Sequence, residues 1–133
     1  MSDRLMQVLM QVQGGCHCGG VRFTIETEQS RELIDCNCTI CAKTGYLHLN
    51  VLHDKFTLNS GQELLSSYRY GSEQAEHLFC KNCGIKSFYQ PRSHPECWSV
   101  NFNCLDDDHG LNATSFAFDG RNWEKNVASI SDK

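Results

Sequence analysis

Seven of the nine cysteines in this chain fall into three short clusters, Cys16-x-Cys18, Cys36-x-Cys38-x-x-Cys41 and Cys80-x-x-Cys83. Tetrahedral zinc takes four ligands with sulfur about 2.3 Å away, so a knuckle that supplies two needs a second one to close the shell. In extended chain the sulfurs of Cys16 and Cys18 fall on one face, because successive side chains alternate. Cys80-Lys-Asn-Cys83-Gly84 reads as a zinc knuckle, with Gly84 where the turn calls for a positive φ. Pairing Cys16 and Cys18 with Cys80 and Cys83 gives a closed structural site that ties together segments about sixty residues apart and has no position for substrate.

The middle cluster keeps three thiolates, Cys36, Cys38 and Cys41, with no evident fourth cysteine. That is the count of a catalytic zinc with one open position, filled by water or a substrate thiol. A zinc ion with three thiolates still lowers the pKa of a bound thiol and holds it in its nucleophilic form, so thiol addition to a carbonyl is natural chemistry here. Three other readings of the same residues stay open: a structural site completed by a histidine, a redox-active thiol group, and a zinc-stabilised binding module without turnover. His48 follows Cys41 by seven residues and can return toward it as fourth ligand or acid–base group. His17 lies between two ligands and is expected to point away from the metal. His53, His77, His94 and His109 are expected at the surface or in turns, and Cys97 and Cys104 as packing residues of apolar strands.

So many cysteines in a cytoplasmic chain argue for metal ligation over a disulfide framework. A cytoplasmic location is expected because Met1 to Gln13 lacks the length and flanks of a signal peptide. No stretch approaches the roughly eighteen apolar residues of a membrane span. The net charge is -4, and the twelve Lys and Arg are scattered rather than clustered, so neither nucleic acid nor membrane is expected as a partner.

Val21 to Glu28 alternates apolar and polar residues as a half-buried strand does. Further strands are expected over Tyr46–Leu52, Lys55–Leu58, Leu64–Tyr70, His77–Cys80, Ile85–Tyr89 and Trp98–Phe102. Helix is expected only after Cys38 and over Gly120–Ala128. The fold class is therefore mainly β, in short antiparallel sheets with little helix. One domain is expected over residues 14–128, with 1–13 as an extension or first strand and 129–133 as a tail.

Four segments, in this order, resemble the glutathione-dependent formaldehyde-activating enzymes and the related centromere protein V family. They are Gly14-Gly-Cys-His-Cys-Gly-Gly-Val-Arg-Phe23, Asp35-Cys-Asn-Cys-Thr-Ile-Cys41, His77-Leu-Phe-Cys-Lys-Asn-Cys-Gly-Ile-Lys-Ser-Phe-Tyr89 and Phe118-Asp-Gly-Arg-Asn-Trp-Glu124. The stretch Ser87 to Pro95 looks closer to the centromere protein branch. The resemblance implies an Mss4-like zinc-binding β-fold, a structural zinc on Cys16, Cys18, Cys80 and Cys83, and a catalytic zinc on Cys36, Cys38 and Cys41. The implied activity is that of a carbon–sulfur lyase, S-(hydroxymethyl)glutathione synthase, in which a glutathione thiolate at the open zinc adds to formaldehyde. Glutathione would then be the partner, its carboxylates met by residues such as Lys43, Arg92, Asn101 or Asn103. Phe118 and Trp123 are expected to pack the C-terminal segment against the sheet.

Overall fold

Phe23, Ile25 and Thr27 are buried while the residues between them are half-exposed, so the alternation of this strand places one face against a core. The strand is β2 (Arg22–Thr27), in a computed structural model that describes residues 8–133. It lies between β1 (Met10–Gly15) and β5 (Phe56–Ser60) in a three-stranded antiparallel sheet. Of residues 1–13, read as extension or first strand, residues 10–13 are the beginning of β1 and residues 1–7 lie outside the described residues.

The second sheet has seven strands. They are β3 (Ser30–Cys36), β4 (Leu47–Leu52), β6 (Leu65–Tyr68), β7 (Glu76–Cys80), β8 (Phe88–Gln90), β9 (Cys97–Asn101) and β10 (Asn112–Phe118). Their spatial order is β10-β3-β4-β9-β8-β7-β6. All neighbours are antiparallel except β10 and β3, which run parallel from Asn112 beside Ser30 to Phe118 beside Cys36. The fold is mainly β, as expected, with this one departure from antiparallel pairing. Neither β3 nor β10 stands out in the sequence, because their burial follows no clean alternation: β10 is exposed over its first four residues.

Among the described residues α-helix is confined to the two expected places, with short 3-10 turns elsewhere at His53–Lys55, Gln62–Leu64 and Phe102–Cys104. α1 (Thr39–Thr44) follows Cys38 and stops at Gly45, whose left-handed φ of 62° lets its N–H return to the Cys41 carbonyl. α2 (Trp123–Asn126) is a single turn, with 3-10 turns over Gly120–Asn122 and Val127–Ile130 on either side.

The two sheets pack face to face. Val12, Phe23 and Ile25 of the small sheet meet Leu49, Val51, Phe88 and Val100 of the large one, with Phe23 stacked on Phe56 at 5.3 Å. The large sheet's other face is also covered, which alternation alone would assign to solvent. On β4, Leu47, Leu49 and Val51 pack toward the core, while the buried His48 and Asn50 lie on the opposite face with Ser99 of β9. That opposite face is covered by a smaller apolar cluster of Ile34, Phe118 and Ile130, with Phe116 and Trp123 packed against it. Phe118 and Trp123 thus anchor the C-terminal segment, as expected. Ile130 is buried and Lys133 pairs with Glu32 at 2.8 Å, so the chain's last residues belong to this cover.

Phe23 sits at the centre of the inter-sheet core with no exposed surface. Phe23→Ala is expected to lower the unfolding free energy by about 3–5 kcal/mol, measured by urea denaturation of the metal-loaded protein.

Candidate metal centres

The β1–β2 turn and the segment after β7 bring Cys16, Cys18, Cys80 and Cys83 together, all four sulfurs lying within 4.8 Å of one another. Cys16 and Cys18 are 3.6 Å apart and Cys18 and Cys80 3.7 Å. Four sulfurs tetrahedrally placed about 2.3 Å from a zinc ion lie about 3.8 Å from one another, which these two separations match. Val21 N–H donates to Cys16 Sγ at 3.3 Å, an outer hydrogen bond that suits a sulfur carrying negative charge. Gly84 has the expected positive φ, 77°, and its N–H returns to the Cys80 carbonyl at 2.7 Å. His17 is exposed and lies outside the set.

The second set is Cys36, Cys38 and Cys41, again within 4.8 Å of one another. Cys36 ends β3, Cys41 lies inside α1 and is buried, and Cys38 begins the turn between them. Hydrogen bonds from Cys36 and Cys41 hold the Cys38 thiol far below its ordinary range. The Cys41 thiol, next to Cys36 and Cys38, is pushed far above its own. Three thiols this close cannot all ionise unless a cation sits among them, which is the donor set of a metal site.

The loop carrying these sulfurs is clasped by the C-terminal segment. Asn37 N–H donates to the Phe118 carbonyl at 3.2 Å, and Arg121 Nε donates to the Asn37 carbonyl at 2.6 Å. Gly120 passes so close that a Cβ there would collide with Cys36 Sγ and lie 3.0 Å from Cys38 Cβ. The glycine of Phe118-Asp-Gly is therefore required by close approach to the cluster. Its sequence signal was its place in the quoted motif, without a reason attached.

His48 does return toward Cys41, with Nε2 3.1 Å from Sγ. That is a hydrogen-bond distance, and the imidazole is not one of the mutually close donors, so it supports the sulfur from outside the set. Its Nδ1 faces Ser99 Oγ at 2.9 Å and the Tyr89 hydroxyl at 3.3 Å. Burial, and after it the charge of Lys86, pushes this histidine down to about 3, so it is neutral.

Two histidines expected at the surface or in turns are buried. His94 donates or accepts at both nitrogens, Nδ1 with Ser93 Oγ at 2.7 Å and Nε2 with the Ile130 carbonyl at 3.0 Å, which fixes the C-terminal cover. The ring of His77 stacks between Tyr70 and Tyr89, because β7 turns it onto the covered face of the sheet. His53 is exposed as expected, and His109 caps a turn by accepting from Leu111 N–H. Cys97 is buried and Cys104 half-buried, both outside the two sets.

The three-cysteine set opens into a pocket of about 240 Å³ that none of the four other cluster cysteines lines. Its walls come from the β6–β7 loop (Tyr70, Gly71), the β8–β9 loop (Arg92, Ser93) and the apolar cover (Phe118, Trp123). Two donors on its lining residues, Asn50 Nδ2 and Arg92 Nε, are sealed from solvent without a partner among the described residues. Of the four residues expected near glutathione carboxylates, only Arg92 lines this pocket. Lys43 is exposed elsewhere, Asn101 donates to the Lys86 carbonyl, and Asn103 donates to that of Gly45.

The sequence profile of the family described as glutathione-dependent formaldehyde-activating enzyme matches residues 11–121, the span that holds both cysteine sets and Gly120. The chain belongs to this family. A Halomonas elongata protein provisionally named as a glutathione-dependent formaldehyde-activating enzyme is 30% identical over 107 residues, covering 74% of this chain and 68% of that one. A crystal structure of a Rhodobacter sphaeroides protein superposes with a TM-score of 0.66 at 29% identity, over 77% of this chain and 99% of that one. The family fold is thus shared across nearly the whole of that neighbour. Among the described residues no helix is long and apolar enough to cross a membrane.

Because the nearest atoms to an added Cβ at Gly120 belong to Cys36 and Cys38, Gly120→Ala tests the two candidate sites separately in zinc-loaded protein. It is expected to release metal from Cys36, Cys38 and Cys41 under a chelator that the wild type withstands, while the four-cysteine set keeps its ion. Chelator competition followed by a chromogenic dye measures both.

Proposed function

We propose that this protein is a zinc-dependent carbon–sulfur lyase-type enzyme that acts on a glutathione adduct, making or breaking S-(hydroxymethyl)glutathione. The observation that carries the proposal is the contrast between the two sets: four sulfurs that complete a shell, and three that face a pocket. Zinc would fill both, structural on Cys16, Cys18, Cys80 and Cys83 and catalytic on Cys36, Cys38 and Cys41. At the three-cysteine set the ion would lower the pKa of an incoming thiol and hold it as thiolate.

The chain's own residues then do three things. A Cys41 thiolate can only accept, so with the sulfur as a ligand His48 Nε2 would donate to it and leave Nδ1 to accept from a hydroxyl such as that of Ser99, and this hydrogen bond would fix the ligand sulfur and spread its charge. Ile34, Phe118 and Trp123 exclude water from one side, which strengthens every charge interaction within. Arg92 sets a positive charge at the pocket wall that would draw a glutathione carboxylate; its guanidinium is held over Trp123 at 3.7 Å and its Nη2 donates to Glu124 at 2.7 Å.

Addition of a thiol to formaldehyde proceeds unaided, so the test must be an acceleration. Exchange NMR of formaldehyde and glutathione is expected to show faster interconversion with the zinc-loaded wild type than in buffer. Cys38→Ser is expected to return the exchange to the buffer rate, losing the ion of its own set while the circular dichroism spectrum and the four-cysteine ion remain. Full exchange in that variant would defeat the reading. An ion lost together with the fold in Cys80→Ser would complete the division into catalytic and structural sites.

A further inference from the structure

Lys86, just before β8, is buried, and its ammonium lies 3.9 Å from the centre of the Tyr89 ring and 4.8 Å from that of Tyr46. Its one hydrogen-bond partner among the described residues is His77 Nδ1, at 2.7 Å. An ammonium can only donate, so Nδ1 must accept, and a neutral His77 carries its hydrogen on Nε2. His77 is neutral: burial, then Lys86, pushes it down to about 4, while Lys86, lowered by burial to about 8, stays charged at neutral pH.

Among the described residues Nε2 has no protein partner, yet it is not among the polar atoms sealed from solvent, and His77 lines the pocket of the three cysteines. The hydrogen it carries is thus presented to the pocket. The ring cannot readily swing away, being stacked on Tyr89 at 4.8 Å and on Tyr70 at 5.7 Å.

We propose that His77 is a catalytic residue that hydrogen-bonds and protonates the oxygen of the carbon–sulfur adduct, and that Lys86 is the positioning residue that fixes its tautomer and supplies the next proton. This rests on the carbon–sulfur reading of the site. The thiol enters as thiolate, its proton having gone to solvent. A sulfur electron pair forms the C–S bond and the carbonyl π pair moves to oxygen. That oxygen takes the Nε2 hydrogen while Nδ1 takes one from Lys86 Nζ. The imidazole ends neutral in its other tautomer and Lys86 ends as the amine. After the adduct leaves, a pocket water with a solvent proton restores Nε2–H, and the Nδ1 hydrogen returns to Lys86. Cleavage of the adduct runs the same transfers backward.

Two variants separate the parts. Glutamine places its amide nitrogen near the position of Nε2, so His77→Gln keeps a donor but cannot relay; asparagine reaches only as far as Nδ1, so His77→Asn loses the donor. In zinc-loaded protein, His77→Asn is expected to lower kcat for glutathione–formaldehyde exchange by about 10²-fold, with His77→Gln between it and the wild type and KM for glutathione little changed. Long-range ¹H–¹⁵N spectra, which need no turnover, are expected to show the Nε2–H tautomer in the wild type and a mixture of tautomers in Lys86→Met. A wild-type His77 protonated on Nδ1, or on both nitrogens, overturns the proposal, as does wild-type kcat in His77→Asn. A wild type that accelerates nothing removes the carbon–sulfur reading, and this step with it; acceleration that survives in His77→Asn removes this step alone.

Discussion

The sulfurs of Cys16 and Cys18 sit in the turn of the small sheet, those of Cys80 and Cys83 at the end of a strand of the large one, and their convergence sets how the sheets face each other. Such a junction joins chain that is distant in sequence, where the entropy of closure is greatest. Cys16 and Cys80 are themselves part of the inter-sheet core, so ligation and apolar burial act on the same residues. With β2 held against β4, one face of the large sheet is used for stability. Its opposite face is then free to carry polar side chains, which is where His48, Asn50, His77, Tyr89 and Ser99 are found.

The second set of sulfurs has a different support. α1 is six residues long, too short to hold a conformation by its own hydrogen bonds. Its geometry comes from outside: β3 fixes Cys36, and the parallel pairing of β10 with β3 delivers Phe118, Gly120 and Arg121 to the same loop. A site assembled from a loop and a returning segment can stay open on one side, where the pocket lies. The closed set has no such opening because all of its donors come from two tight turns.

Much of this was legible in the sequence, and the parts that were not share one cause. Cluster spacing separates four cysteines from three, and the turn glycines and the alternation of β2 follow from local geometry. The burial of His77 and His94 does not, since each stands in a strand or turn whose polar alternation reads as a solvent-facing side. Only the C-terminal segment and the loops laid over that side, contacts distant in sequence, convert it into the wall of a pocket. The same distance hides β10, whose exposed first half has no pattern of its own and whose place depends on pairing with β3. His48 shows the finer limit: its spacing from Cys41 indicates an encounter, while the choice between ligand and hydrogen-bond donor is a matter of where β4 holds the ring.

Charge explains why a lysine is buried beside this site and none beside the other. A zinc ion with four thiolates carries a charge of about -2. The closed set, with Cys18 exposed, leaves that charge to water. None of the cysteines in the three-cysteine set is exposed, and on the proposed reading that set reaches the same charge when a substrate thiolate arrives. Solvent screens little there, so a nearby cation is worth more than it would be at a surface. Cys41, Cys38 and Cys36 are the groups whose charge favours the protonated form of Lys86 against the cost of burying it. A neutral residue of the same shape would pack as well against Tyr46 and Tyr89, so what the lysine adds is charge and, on the proposed reading, a proton that reaches the pocket through His77.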